Sequence, residues 1–99
     1  MKKIFISQPM NGKTDEEMKS ERQRVITIMG SYLEDKVKVI DPTVQSPPEK
    51  AKPLWFLGKA LEALSTADVA VFAKGWEKYR GCRIEHTCAI EYGIRIVEL

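Results

Sequence analysis

ADVAVFAKGWEKYRGCRIEHTCAIEYG, Ala67 to Gly93, is the segment that decides how the chain is read. Val69 to Ala73 is apolar throughout, as a central parallel strand buried on both faces must be. A loop bounded by Gly75 and Gly81 follows, and then a helix that carries Glu85 in its first turns. Strand, glycine-bounded loop and helix form the repeating unit of an open α/β sheet, where ligands bind beyond the C-terminal ends of the strands. Glu85 is expected at that crevice.

Upstream, Lys3 to Ser7 is a short β-rich run that ends in the turn-prone Gln8-Pro9-Met10-Asn11-Gly12. Thr14 followed by Glu17 matches a capping box, and Met18, Val25, Ile28, Met29, Tyr32 and Leu33 recur at helical spacing to about Asp35. Val37 to Ile40 is a second strand, stopped by Asp41-Pro42. The proline-rich TVQSPPEKAKP, Thr43 to Pro53, is too polar and broken to be an element and is a candidate lid. Leu54, Trp55, Leu57, Leu61 and Leu64 mark a helix reaching about Thr66; Phe56 and Ala60 widen its apolar stripe and point to a subunit contact. A closing strand is expected at Ile94 to Glu98. The order β-α-β-α-β-α-β, with right-handed crossovers, predicts one α/β domain over 1–99: a small open parallel sheet with helices on both faces, a Rossmann-like or flavodoxin-like three-layer sandwich.

Composition narrows the partners. Sixteen basic and 14 acidic residues give a net charge of +2 in mixed order, without the basic stripe of a nucleic-acid polymer binder or a membrane-binding tail. The apolar start MKKIFIS breaks at Gln8-Pro9, and no stretch approaches the roughly 20 apolar residues that span a bilayer, so a cytoplasmic protein is expected. Cys82 and Cys88 read as free thiols, and with His86 as the only histidine neither a metal site nor a cofactor is expected.

Glu85, Ala89 and Gly93 are spaced four apart, a narrow row along one helix face with small residues behind the carboxylate. A carboxylate near a helix start is favoured in its ionised form by the helix dipole, which suits a nucleophile or general base; the same position suits a helix cap. Backbone N–H groups around Asn11, Gly12 and Lys13 are placed to cradle an anion, or Gly12 merely turns the chain beside a solvated Lys13. Trp76 either stacks on a base or fills a subunit interface. His86 points about 100° around the helix from Glu85 and reads as a surface or interface residue. Gly12-Lys13-Thr14 with Asp41 imitate the two nucleoside-triphosphatase motifs, but Ser7 stands where the first glycine is required, and Asp15-Glu16-Glu17 would repel phosphates.

The row Glu85-x-x-x-Ala89-x-x-x-Gly93, preceded by Gly81 and by ADVAVF, resembles the signature of the nucleoside 2-deoxyribosyltransferase superfamily. The blocks FISQPMNGK, Phe5 to Lys13, and GW followed by RGC-x-IE look like a small bacterial and phage branch of unassigned function. This resemblance implies a homo-oligomeric protein acting on a small-molecule nucleoside or nucleotide. Glu85 would attack the anomeric carbon, and the loop Ser7, Gln8, Pro9, Met10, Asn11, Gly12 and Lys13, with Trp76 and Gly81, would hold the substrate. The family's partner aspartate would fall near Ala60, whose ionisable neighbours are Lys59 and Glu62. Asp41 is the better stand-in for it, Asp68 being at the wrong end of its strand and read as structural. A non-catalytic nucleotide- or nucleoside-binding module on the same fold is the alternative that the missing aspartate favours.

Overall fold

In a computed structural model, which describes residues 1–42 and 46–99, the chain forms β1 (Lys2–Ser7), α1 (Asp15–Leu33), β2 (Val37–Val39), α2 (Pro53–Leu64), β3 (Val69–Phe72), α3 (Arg80–Glu91) and β4 (Arg95–Glu98), with a 3₁₀ turn at Trp76–Lys78 before α3. The four strands make one parallel sheet in the order β2-β1-β3-β4. The expected α/β fold is the observed one. The lid expectation falls partly on 43–45, outside the described residues; the neighbouring Ser46 to Lys50 are exposed and do not line the cavity at the sheet's C-terminal edge.

Alternation along β1 assigns the layers. Ile4, with Val69 and Val71 of β3, packs under Val25 and Met29 of α1. Phe5, with Ala70 and Phe72, faces Ala63 and Leu64 of α2 and Ala89 of α3. Burying side chains such as Ile4, Met29 and Phe72 contributes roughly 1.5–3 kcal/mol each. Ser7, two residues beyond Phe5, emerges on the α2/α3 side at the end of its strand.

Local chemistry fixes the ends of the elements. The capping box at α1 is complete: Glu17 N–H donates to Thr14 Oγ1 at 3.1 Å, and Thr14 N–H donates to Glu17 Oε1 at 2.9 Å. Asp68 is structural, as its place in the sequence indicates. Its Oδ2 accepts from Lys3 N–H and its own N–H donates to the Lys3 carbonyl, both at 2.8 Å, clamping the starts of β1 and β3 together. Gly93 ends α3 at φ 70°, with Ile94 N–H reaching Ala89 O at 2.9 Å and Gly93 N–H reaching Ile90 O at 3.2 Å, a Schellman motif. A Cβ at Gly93 would meet nothing within 4 Å, so the backbone turn requires this glycine and close packing does not. Gly93→Ala is expected to lower unfolding free energy by about 1–2 kcal/mol, the cost of a left-handed alanine, as measured by urea denaturation.

Candidate functional site

Parallel sheets of this kind offer a crevice where the chain leaves adjacent strands in opposite directions, here between β1 and β3. A cavity of about 490 Å³ lies there, within the range of small-molecule sites. Gln8, Pro9, Met10 and Asn11 from the loop after β1 line one side of it. Lys78, Tyr79, Arg80, Gly81, Cys82 and Glu85, from the turn before α3 and from α3 itself, line the other. The two loops meet across the cavity where the Tyr79 hydroxyl donates to the Asn11 carbonyl at 3.4 Å.

Glu85 is 8% exposed, and its Oε1 accepts a 2.6 Å hydrogen bond from the Ser7 hydroxyl, itself 2% exposed. Strand parity brings Ser7 to this face, and the helical row shared with the fully buried Ala89 turns Glu85 toward it. Burial pushes the Glu85 carboxyl above its ordinary value, and the Ser7 bond partly opposes the shift. This reverses the expectation of a carboxylate ionised by the helix start. Tyr79 is the N-cap of α3 and Glu85 lies in the second turn, beyond the free N–H groups, so Glu85 is not a cap either.

Cys82, one turn before Glu85 and 6% exposed, has its thiol raised, first by burial and further by the Glu85 carboxylate; a hydrogen bond with Ser7 and the charge of Arg83 work the other way. Both cysteines are free thiols. Among the described residues no group of three or more His, Cys, Asp or Glu side chains is arranged to hold a metal, and no helix is long and apolar enough to cross a membrane.

The remaining sequence-predicted residues separate. Gln8 anchors its loop by donating from Nε2 to the Met18 carbonyl at 3.1 Å, Pro9 is buried, and Met10 and Asn11 reach the cavity rim. Gly12 turns the chain at φ 77°, and the Lys13 N–H is bonded to the Met10 carbonyl at 3.1 Å. The Thr14 and Glu17 N–H groups are also engaged, in the capping box, so three of the donors around the start of α1 are already bonded. The Lys13 side chain lines a separate hollow with Glu16, Glu17 and Glu21.

Trp76 does not line the cavity: its ring stacks on His86 at 4.0 Å between centroids and 11° between planes, and it packs on Phe72. His86 in turn meets Glu98 at 2.7 Å, tying α3 to β4. Asp41 pairs with Arg22 through two 2.9 Å contacts and lines another hollow with Lys59, Glu62 and Thr66, away from the residues around Glu85.

Lys78, Tyr79, Arg80 and Cys82 are cavity residues that the sequence reading passed over. Their signal was faint: they sit in the glycine-bounded loop and the uncapped first turn that follow β3. The start of α3 has no side-chain cap and no acidic residue, the reverse of α1. No family model matches the chain, and neither a curated protein nor a solved structure does.

The Glu85 shift has a consequence for stability. The folded carboxyl holds its proton more tightly than the unfolded one, so its contribution is fully present below the ordinary value of 4.5 and is lost as pH rises through the higher folded value. Glu85→Gln, permanently neutral and still able to accept from Ser7, is expected to have a higher Tm than the wild type at about pH 7.5. The gap should close as pH falls toward 4.5; thermal melts across that range measure it.

Proposed function

We propose that this chain cleaves or exchanges the N-glycosidic bond of a 2′-deoxynucleoside or its 5′-monophosphate, with Glu85 as nucleophile. The observation that carries the reading is the buried Glu85, held by Ser7 and lining a ligand-sized cavity at the β1/β3 switch point. A Glu85 oxygen bonds to the anomeric carbon while the carbon–nitrogen bond breaks; the base leaves with that electron pair and takes up a proton. Water or a second base then displaces Glu85 from the sugar. The resemblance of Phe5 to Lys13 and Asp68 to Gly93 to the nucleoside 2-deoxyribosyltransferase superfamily supports this chemistry.

A monophosphate is favoured over a bare nucleoside by Lys78 and Arg80 in the cavity wall and by the uncapped N–H groups of the first turn of α3. Gly81 fits the same reading. It has no positive φ, and a Cβ there would meet nothing within 4 Å, so neither backbone nor packing demands a glycine; its missing side chain leaves the helix start open.

The non-catalytic binding module remains a second reading because, among the described residues, Glu85 is the only carboxylate lining the cavity. Incubating the wild type and Glu85→Gln with 2′-deoxynucleosides and their 5′-monophosphates, with and without an acceptor base, separates the two. The enzyme reading expects base release by the wild type, lowered at least about a hundredfold in Glu85→Gln. A nucleotide-induced rise in Tm without any base release would select the binding module.

The homo-oligomer belongs to the same proposal. Leu54 is 75% and Tyr92 84% exposed, and the apolar hollows along α2 and α3 reach Arg80 and Gly81 at the cavity edge. A second copy of the chain laid on this face would cover apolar surface and wall the cavity. Sedimentation at micromolar concentration is expected to give a species of at least twice 11.3 kDa, shifted toward the monomer by Leu54→Asp.

A further inference from the structure

Gly81 and Glu85 are four residues apart on α3, so Gly81 holds the next place toward the helix start on the face that carries the carboxylate. A second hollow, of about 530 Å³, lies between the starts of α2 and α3, and Arg80 and Gly81 line both it and the Glu85 cavity. Gly81 is thus the border between the two. Pro53, Leu54 and Leu57 from α2 and Ile84 from α3 make the walls of the second hollow apolar. Its two polar side chains, Lys52 and Arg80, are donors only, because neither an ammonium nor a guanidinium accepts a hydrogen bond. Among the described residues no acceptor side chain lines it.

These features discriminate among bases attached to a sugar at Glu85. An exocyclic amino group carried into the hollow gives up its bonds to water and meets no side-chain acceptor, a loss that disfavours adenine, guanine and cytosine. Thymine has two carbonyl oxygens and a C5 methyl group, and no amino group. We propose that the hollow across Gly81 is the base subsite of the Glu85 cavity and selects a thymine-type base, its methyl group against Leu54, Leu57 and Ile84 and its carbonyl oxygens toward Lys52 and Arg80. This rests on the function proposed above and deepens it by naming the base. Neither backbone conformation nor packing demands a glycine at 81, so a larger side chain there closes the border without breaking the helix.

The test measures affinities by isothermal titration calorimetry on Glu85→Gln, in which the proposed nucleophile is absent and no base is released. Thymidine 5′-monophosphate is expected to bind about fourfold more tightly than 2′-deoxyuridine 5′-monophosphate, which lacks the methyl group. It should bind about tenfold more tightly than 5-methyl-2′-deoxycytidine 5′-monophosphate, which keeps the methyl group and carries an amino group in place of one carbonyl oxygen. Adding Gly81→Leu should weaken thymidine monophosphate binding and bring both ratios to about one, with the melting temperature at or above that of the parent. Leu57→Ala, which leaves the border open, should lower the first ratio alone. Equal affinity for the thymidine and 5-methyl-2′-deoxycytidine nucleotides would overturn the proposal. So would ratios that survive Gly81→Leu, or a first ratio unchanged in Leu57→Ala; each would leave the hollow to the second copy of the chain. Base release by the wild type without this preference sinks the subsite and leaves the function standing, whereas the preference without base release does the reverse. Absence of binding by all three nucleotides overturns both.

Discussion

The parallel pairing of β1 with β3 is the constraint on which the rest of the molecule depends. Ile4 to Ser7 align with Val69 to Phe72, and the Asp68 carboxylate and backbone lock that register at its start through Lys3. A one-residue slip would send Ile4 to the α2/α3 side and Phe5 to the α1 side, exchanging both cores. It would also turn Ser7 away from α3. The same register therefore separates the layers and delivers a hydroxyl to Glu85.

Burial at the switch point works against ionisation while the position in the fold favours chemistry. Glu85 is enclosed enough that its carboxyl is raised, yet it lines an open cavity and keeps one strong donor. A buried carboxylate with a single hydrogen bond is a costly arrangement for a purely structural residue, because an apolar side chain would fill the same place without desolvating a charge. Strain of this type concentrates at functional sites, which is the physical ground for centring the proposal on Glu85.

Much of the fold was legible because its signals are local. The apolar run at Val69, the Thr14–Glu17 capping box and the Asp41-Pro42 stop each report on a few neighbouring residues, and the structure places element boundaries close to them. The site was legible only in outline. Glu85 and the loop after β1 follow from element order, but the Ser7–Glu85 bond joins residues 78 apart and depends on strand parity and on which helix covers which face. The direction of the Glu85 shift was misjudged for the same reason: position along a helix can be read from sequence, but the depth of burial cannot. Trp76 looked available for stacking until α3 brought His86 against its ring. Lys78 and Arg80 gave no motif, only proximity to a strand end.

The capping box that closes α1 also gives the C-terminal edge of the sheet a polarity. Of the three helices that begin at the C-terminal edge of the sheet, α1 closes its start with its own Thr14 and Glu17 and opens with three acidic residues, whereas α3 starts without a side-chain cap between Lys78 and Arg83. An anion approaching this edge is favoured by the helix dipole at the bare start of α3 and repelled by the acidic start of α1.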